Sequence, residues 1–379
     1  MSESISIFLP SLAGGGAERM MVNLSNEFSS RGHHVDLVLI TADGPYLCEV
    51  SDDVRVIDLN APELPGYNAM GSLPHLYRYL ESREPVALLS ALTRANVVAL
   101  LAHRLARVPT RIVISERNHL SSVVERDGNR RMRALPWLIR RTYPWADRIV
   151  PISHGVADDL SHISRIPTTE MDVIHNPAYS EDIREEAKEP LEHPWFQSPA
   201  PVILGVGSLT AQKDFATLVS AFERVRSAVD ARLMILGEGE KRDELQAMVR
   251  DLGLSEVVEM PGFVDNPFKY MDGADVFVLS SRWEGFGNVI VEALACGTPV
   301  VSTDCPSGPA EILNDGEYGT LVPVGNPEAI ADALLDVLEA HTDERRLENR
   351  AEQFSIDRIA SQYLNVLLDR SGSEPLEIS

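Results

Sequence analysis

The stretch Val276–Leu313, VFVLSSRWEGFGNVIVEALACGTPVVSTDCPSGPAEIL, decides the fold. It opens on an apolar run, Val276–Leu279, long enough for a buried strand and too short for a helix. The loop from Ser280 to Gly287 carries Trp283, Glu284, Gly285 and Phe286. A helical run follows through Ala295 and stops at Gly297–Pro299, and Thr298–Thr303 reads as the next strand. Strand, glycine-bearing loop and helix in that order place the helix N-terminus at the C-terminal edge of a parallel sheet. Open α/β sheets bind ligands there.

The first backbone N–H groups of that helix, near Gly287, Asn288, Val289 and Ile290, lack intrahelical partners and sit at the positive end of the dipole. Such a terminus suits phosphate. Gly285 and Gly287 leave the backbone open to close approach. Glu284 and Glu292 flank the same place, and carboxylates repel a diphosphate but accept hydrogen bonds from hydroxyls. A ligand with a diphosphate in the middle and polyols at both ends, such as a nucleotide sugar, satisfies all of these groups. An exposed helix with two solvated glutamates is the alternative.

Glu284, seven residues and then Glu292 resembles the E-x7-E motif of retaining glycosyltransferases of family 4, and EGFGNVIVEALACGTPVV and SGPAEIL are similar to that family around it. The resemblance covers nearly the whole chain, and is strongest from Val202 to Val324. It implies an α/β chain of the GT-B fold, two doubly wound Rossmann-like domains facing each other across a cleft. The acceptor-side domain would span 1–178, a linker 179–200, the donor-binding domain 201–352, and a C-terminal helix with its tail, 353–379, would cross back to the first domain. The implied reaction moves a sugar from a nucleoside diphosphate donor to a hydroxyl with retained anomeric configuration. The donor would be UDP-linked, and the acceptor a glycan or lipid-linked sugar of cell-surface polysaccharide or glycoconjugate synthesis.

Earlier in the second half, Val202–Val206 reads as a strand whose loop leads through Lys213 to a helix near Phe215. A lysine is electrostatically misplaced at a helix start, which favours a role at the strand edge: neutralising a departing diphosphate. The family usually carries an arginine directly after the glycine of this loop. Ser208 stands there instead, leaving Arg282 or Arg117 as candidate replacements. Arg232–Leu236 ends in Gly237-Glu238-Gly239, and Val257–Met260 leads to Gly262-Phe263-Val264. By resemblance Gly237, Gly239 and Phe263 belong to the nucleobase side of the donor site. Glu328 to Leu368 reads as helical throughout.

The first half repeats strand–helix units, which predict a second doubly wound parallel sheet. Its first strand, Ser4–Pro10, is followed by a loop that ends in Gly14, Gly15 and Gly16, a bare helix start suited to phosphate but lacking the third glycine of a dinucleotide fingerprint. The resemblance places this loop near donor phosphates and acceptor, and a tight turn is the alternative. The strand Arg111–Ser115 leads into Glu116-Arg117-Asn118-His119, where Glu116 and His119 are candidates for contact with the transferred sugar. Between Arg126 and Trp145, six arginines interleave with Trp137, Trp145 and aliphatics. Such a segment suits an anionic membrane surface; a packed helix with a solvated arginine face is the other reading.

With 379 residues, 44% of them hydrophobic, the chain can bury two cores. No apolar run approaches the ~20 residues of a membrane span, and the N-terminus reads as a strand rather than a signal peptide. Cys48, Cys296 and Cys305 are scattered, as expected of reduced thiols in a cytoplasm. The formal charge of −23 argues against a nucleic-acid partner. It also suits a salt-adapted source, for which activity retained in molar salt is the test; a GC-rich genome explains the arginine bias equally well. The chain contains no D-x-D and no histidine pair of metal-ligand spacing, so no metal and no other cofactor is expected. A nucleotide-sugar epimerase or a non-catalytic nucleotide-sugar binding protein are the competing functions. A pyridoxal-dependent phosphorylase is disfavoured, because no lysine follows Lys269.

Overall fold

The computed structural model describes residues 3–13, 15–62, 69–122 and 134–369. The chain divides into two units, one of Met1–Pro177 with Ile356–Ser379 and one of Ala178–Ser355. In the first, six strands, β1 (Ser4–Leu9), β2 (His34–Leu39), β3 (Arg55–Asp58), β4 (Ala87–Ala91), β5 (Arg111–Glu116) and β6 (Arg148–Pro151), form a parallel sheet in the order β3-β2-β1-β4-β5-β6. The inner strands are buried along nearly their whole length, serines included, because helices cover both faces. Successive side chains alternate between them: Phe8, Leu88 and Ile112 enter one core, and Ile7, Leu89 and Val113 the other. The second core is closed by the Gly16–Ser30 helix and by the final helix, Ile356–Leu367, which buries Tyr363 and Leu367 against it.

The second unit repeats the winding. Strands β7 (Val202–Val206), β8 (Arg232–Leu236), β9 (Val258–Gly262), β10 (Val276–Leu279), β11 (Val300–Thr303) and β12 (Thr320–Val322) run parallel in the order β12-β11-β10-β7-β8-β9. Strand order reverses between β7 and β10, so the loops after these two strands flank the switch point where such sheets take ligands. Val276–Leu279 and the helix Asn288–Ala295 lie where the sequence puts them.

Two sequence expectations change. The C-terminal region is three helices, Pro327–Glu339, Glu344–Glu352 and Ile356–Leu367, rather than one continuous run. Ala340 is extended, the Asp343 side chain caps the second helix at the Arg346 amide, and Ser355 pairs with Tyr179 ahead of the third. Each local bond competes with helix continuation. The segment 179–200 is ordered too. It forms the helix Glu181–Ala187, whose Arg184 reaches Glu348 at 3.3 Å and Glu352 at 3.2 Å, and sets Phe196 edge-on to Tyr270. No helix among the described residues is long and apolar enough to cross a membrane.

Candidate active site at the switch point of the second sheet

Loop 207–214 follows β7 and loop 280–287 follows β10, and hydrogen bonds fasten one to the other. The Arg282 amide donates to Gln212 O (2.8 Å), Gln212 Nε2 to Trp283 O (3.0 Å), and Ser280 Oγ to Lys213 O (2.7 Å). Within this frame Lys213 Nζ meets Glu284 Oε1 at 2.6 Å, with both side chains largely buried. Gly207 makes room for the lysine stem: a Cβ there would meet Lys213 Cε at 3.1 Å. Ser281 Oγ donates to the same Glu284 oxygen at 2.6 Å. Both bonds fall on Oε1; among the described residues Oε2 accepts none. Lys213 and Glu284 thus form one charge-assisted unit with an acceptor oxygen and ammonium hydrogens left over.

The neighbouring strand ends complete the edge. Thr303 Oγ1, at the end of β11, donates to Ser281 O at 2.6 Å, and the Glu284 amide donates to Pro306 O at 3.3 Å. Cys305 is buried here, and burial, with the Glu284 charge adding to it, pushes its thiol up to about 12. It is therefore a packing residue and not a nucleophile. Arg282 Nε binds Asp214 Oδ2 at 2.9 Å, which keeps a second guanidinium on the loops that hold Lys213. Arg282 also lines a cavity of about 180 Å³ with Thr210, Phe215 and Lys241.

Other expected residues fall into place differently. Gly287 is in the left-handed region, with φ +102°, and Asn288 and Val289 open the helix half-buried. The Ile290 amide, however, donates to Gly287 O at 2.9 Å and its side chain is buried, so it drops out of the expected set of open amides. The Phe286 side chain also turns inward, 5.5 Å from the Phe354 ring, leaving Gly285 between it and Glu284. Glu292 is half-buried on the helix. Gly237 and Gly239 answer to their own chain: a Cβ on either would strike Gly207 O at 2.0 Å or Leu209 O at 2.4 Å. Phe263, just past β9, is 77% exposed.

In the first unit, Glu116 is fully buried and accepts from Thr93 Oγ1 (2.9 Å), Tyr143 OH (2.7 Å) and the Arg117 amide (3.1 Å). Burial raises its pKa against the pull of those donors. This is a satisfied core carboxylate, contrary to the expected sugar contact. Arg117 is buried as well and donates to Asn176 Oδ1 at 2.6 Å, which takes it out of contention as the replacement cation. His119 is half-buried, with Nδ1 2.9 Å from Ser122 Oγ and Nε2 3.9 Å from Asp159 Oδ1. Gly15 precedes the Gly16–Ser30 helix, but a Cβ there would lie 2.3 Å from Glu18 Oε2. That carboxylate already supplies negative charge to the helix start, which weakens the phosphate reading. Gly14 lies outside the described residues, as do Arg126, Arg130, Arg131 and Arg133.

Sequence reasoning missed Ser281, Gln212 and Asp214, which hold the pair and its loops. Their types are ordinary in loops, and only the tertiary contact gives them meaning.

Comparison with known proteins identifies the family and the fold. The pattern described as Glycosyl transferases group 1 matches residues 191–354, and the one described as Glycosyl transferase 4-like domain matches residues 15–177. The chain is 33% identical over 375 residues to N-acetylgalactosamine-N,N'-diacetylbacillosaminyl-diphospho-undecaprenol 4-alpha-N-acetylgalactosaminyltransferase of Campylobacter jejuni, covering 97% of this chain and all (100%) of that one. It is 24% identical to N-acetyl-alpha-D-glucosaminyl L-malate synthase of Bacillus anthracis, over 95% of each chain. Among solved structures, Anabaena HepE in complex with UDP-glucose superposes with a TM-score of 0.80 at 21% identity, covering 97% of this chain and 99% of that one. Full-length identity to the Campylobacter enzyme, matched patterns in both halves and two sheets of one winding lead to a single conclusion: the chain belongs to the family 4 glycosyltransferases, on the GT-B fold.

Proposed function

We propose that this glycosyltransferase moves a sugar from a UDP-linked donor to a hydroxyl of a lipid-linked or glycan acceptor, with retention of configuration and without a metal ion, in cell-surface polysaccharide or glycoconjugate synthesis. The Lys213–Glu284 pair at the β7/β10 switch point carries the reading. Lys213 and the amides that open the Asn288–Ala295 helix stabilise the departing diphosphate, Glu284 Oε2 accepts from a hydroxyl of the transferred sugar, and Glu292 accepts from the ribose. The bond from the anomeric carbon to the diphosphate oxygen breaks as the acceptor oxygen bonds to that carbon, and the acceptor proton leaves on the diphosphate. Fixed positive charge at the leaving group supplies the main stabilisation, which makes a metal unnecessary. Arg282 stands in for the arginine absent at Ser208, and exposed Phe263 offers a face to the base. The name of the Campylobacter relative specifies a diphospho-undecaprenol acceptor, and the HepE structure holds UDP-glucose, which supports the substrate classes.

Nucleotide release from a panel of nucleotide sugars, with and without lipid-linked acceptors and EDTA, tests this reading. The expected result is acceptor-dependent release that survives the chelator, with a product of unchanged anomeric configuration by NMR. Acceptor-independent isomerisation would instead mark an epimerase, and binding without release a non-catalytic protein.

A lipid-linked acceptor requires the enzyme to reach a membrane, and we assign that contact, at the inner face of the cytoplasmic membrane, to the arginine-rich segment of the first unit. In the helix Leu135–Thr142, Trp137 is 61% exposed with Arg141 stacked over its ring at 5.7 Å; nearby Arg104 lies 5.4 Å from the Trp145 ring. Arg140 is occupied with Ile163 O. The first unit also holds 20 of the 34 lysines and arginines but only 24 of the 57 acids, so repulsion from an anionic surface falls mainly on the other unit. Trp137→Ala with Arg141→Ala is expected to abolish co-sedimentation with anionic vesicles; equal sedimentation of wild type with neutral vesicles would refute the assignment.

A further inference from the structure

Ser307 unites three features that are separately uncommon. It is a non-glycine residue in the left-handed region, with φ +72°. It is 7% exposed, and its Oγ is buried without a hydrogen-bond partner. Both of its neighbours press on the Glu284 loop: Pro306 O accepts from the Glu284 amide at 3.3 Å, and a Cβ on Gly308 would fall 1.8 Å from Phe286 O. Ser307 is therefore pinned from both sides against the segment Glu284–Phe286. An unpaired buried hydroxyl and a disfavoured backbone each oppose folding, and residues carrying such strain concentrate where ligands bind.

We propose that Ser307 is a donor-binding residue whose hydroxyl reads the transferred sugar, beside Glu284 Oε2. The inference rests on the donor-site reading above and adds a contact that the E-x7-E motif does not contain. One χ1 rotation between staggered positions re-aims Oγ without moving the backbone. A serine hydroxyl both donates and accepts, so it can complement a carboxylate that only accepts. The contact is with the sugar and not with the nucleotide, because Ser307 lies on the β11 loop against Glu284, across β10 from the loop that bears Lys213.

Two substitutions separate the hydroxyl from the backbone. Ser307→Ala removes the hydroxyl and keeps the disfavoured conformation; Ser307→Gly removes the hydroxyl and relieves it. Calorimetric titration with UDP-N-acetylgalactosamine and with UDP is expected to show both variants binding the sugar nucleotide about five- to tenfold more weakly, with UDP affinity within twofold of wild type. The thermal unfolding midpoint is expected to rise in both variants, which lose the unpaired hydroxyl, and to rise further in Ser307→Gly, which also relieves the backbone. Unchanged sugar-nucleotide affinity in both variants, or an equal loss for UDP, overturns the role of Ser307. Wild type that binds UDP no better than Lys213→Ala overturns the donor-site reading, and this inference with it.

Discussion

Lys213→Ala is expected to lower turnover by about 10² to 10³, the loss typical of one preorganised donor to a developing negative charge. The lysine has a second duty. Its ammonium is a direct partner of the largely buried Glu284 carboxylate, and removing one member of such a pair leaves a charge uncompensated. The same substitution should therefore cost on the order of 3 kcal/mol of stability in the second unit. Lys213→Ala with Glu284→Gln separates the effects: stability should recover toward wild type while turnover stays low, since the two side chains act as one unit. Steady-state kinetics with thermal unfolding checks both. A change in turnover below threefold would remove Lys213 from the leaving-group site.

Gly308→Ala is expected to have the largest structural effect. The position has φ +96°, and an added Cβ would meet backbone, Phe286 O at 1.8 Å and Phe286 C at 2.4 Å, which no side-chain rotation relieves. Backbone strain and overpacking together cost about 3–5 kcal/mol. The unfolding midpoint of the second unit should fall on the order of 10 °C, and donor affinity should fall with it, because the clash displaces the Glu284 loop. Gly32→Ala is the control: φ there is +85°, but nothing lies within 4 Å of the added Cβ. It carries backbone strain alone and should cost only about 1 kcal/mol. Equal shifts in the two variants would show that the contact with Phe286 is not what holds Gly308 as glycine.

The parts of the chain legible in the sequence were those set by local pattern. The run Val276–Leu279, the glycine-bearing loop and the Gly-Thr-Pro stop each have a local physical cause, and the repeated alternation of such units yields two parallel sheets. Glu284 and Lys213 were legible as candidates through their place at strand ends. That they pair was not, since 71 residues separate them and only the β7–β10 register brings them together. The same limit misread Glu116, whose loop position suggests exposure until Thr93 and Tyr143 close over it. Phe286 likewise turns toward a ring contributed from Phe354. No glycine or proline lies between Glu328 and Leu368 to mark the breaks between the C-terminal helices, which depend on Asp343 capping and on the Tyr179 bridge to Ser355. Ser307 gave no local signal, because a serine in a loop seldom has positive φ.

Two carboxylates that bracket a helix N-terminus now have distinct surroundings. Glu284 is locked by Ser281 and Lys213 on one oxygen, whereas Glu292 stands half-buried on the helix. A fixed acceptor suits the reacting sugar, where a small misplacement is costly in rate.

A crystal structure of the enzyme with UDP tests the central claim most directly. The diphosphate is expected within hydrogen-bond distance of Lys213 Nζ and of the amides opening the Asn288–Ala295 helix, with Glu292 on the ribose. A diphosphate bound away from the β7/β10 switch point would contradict the account.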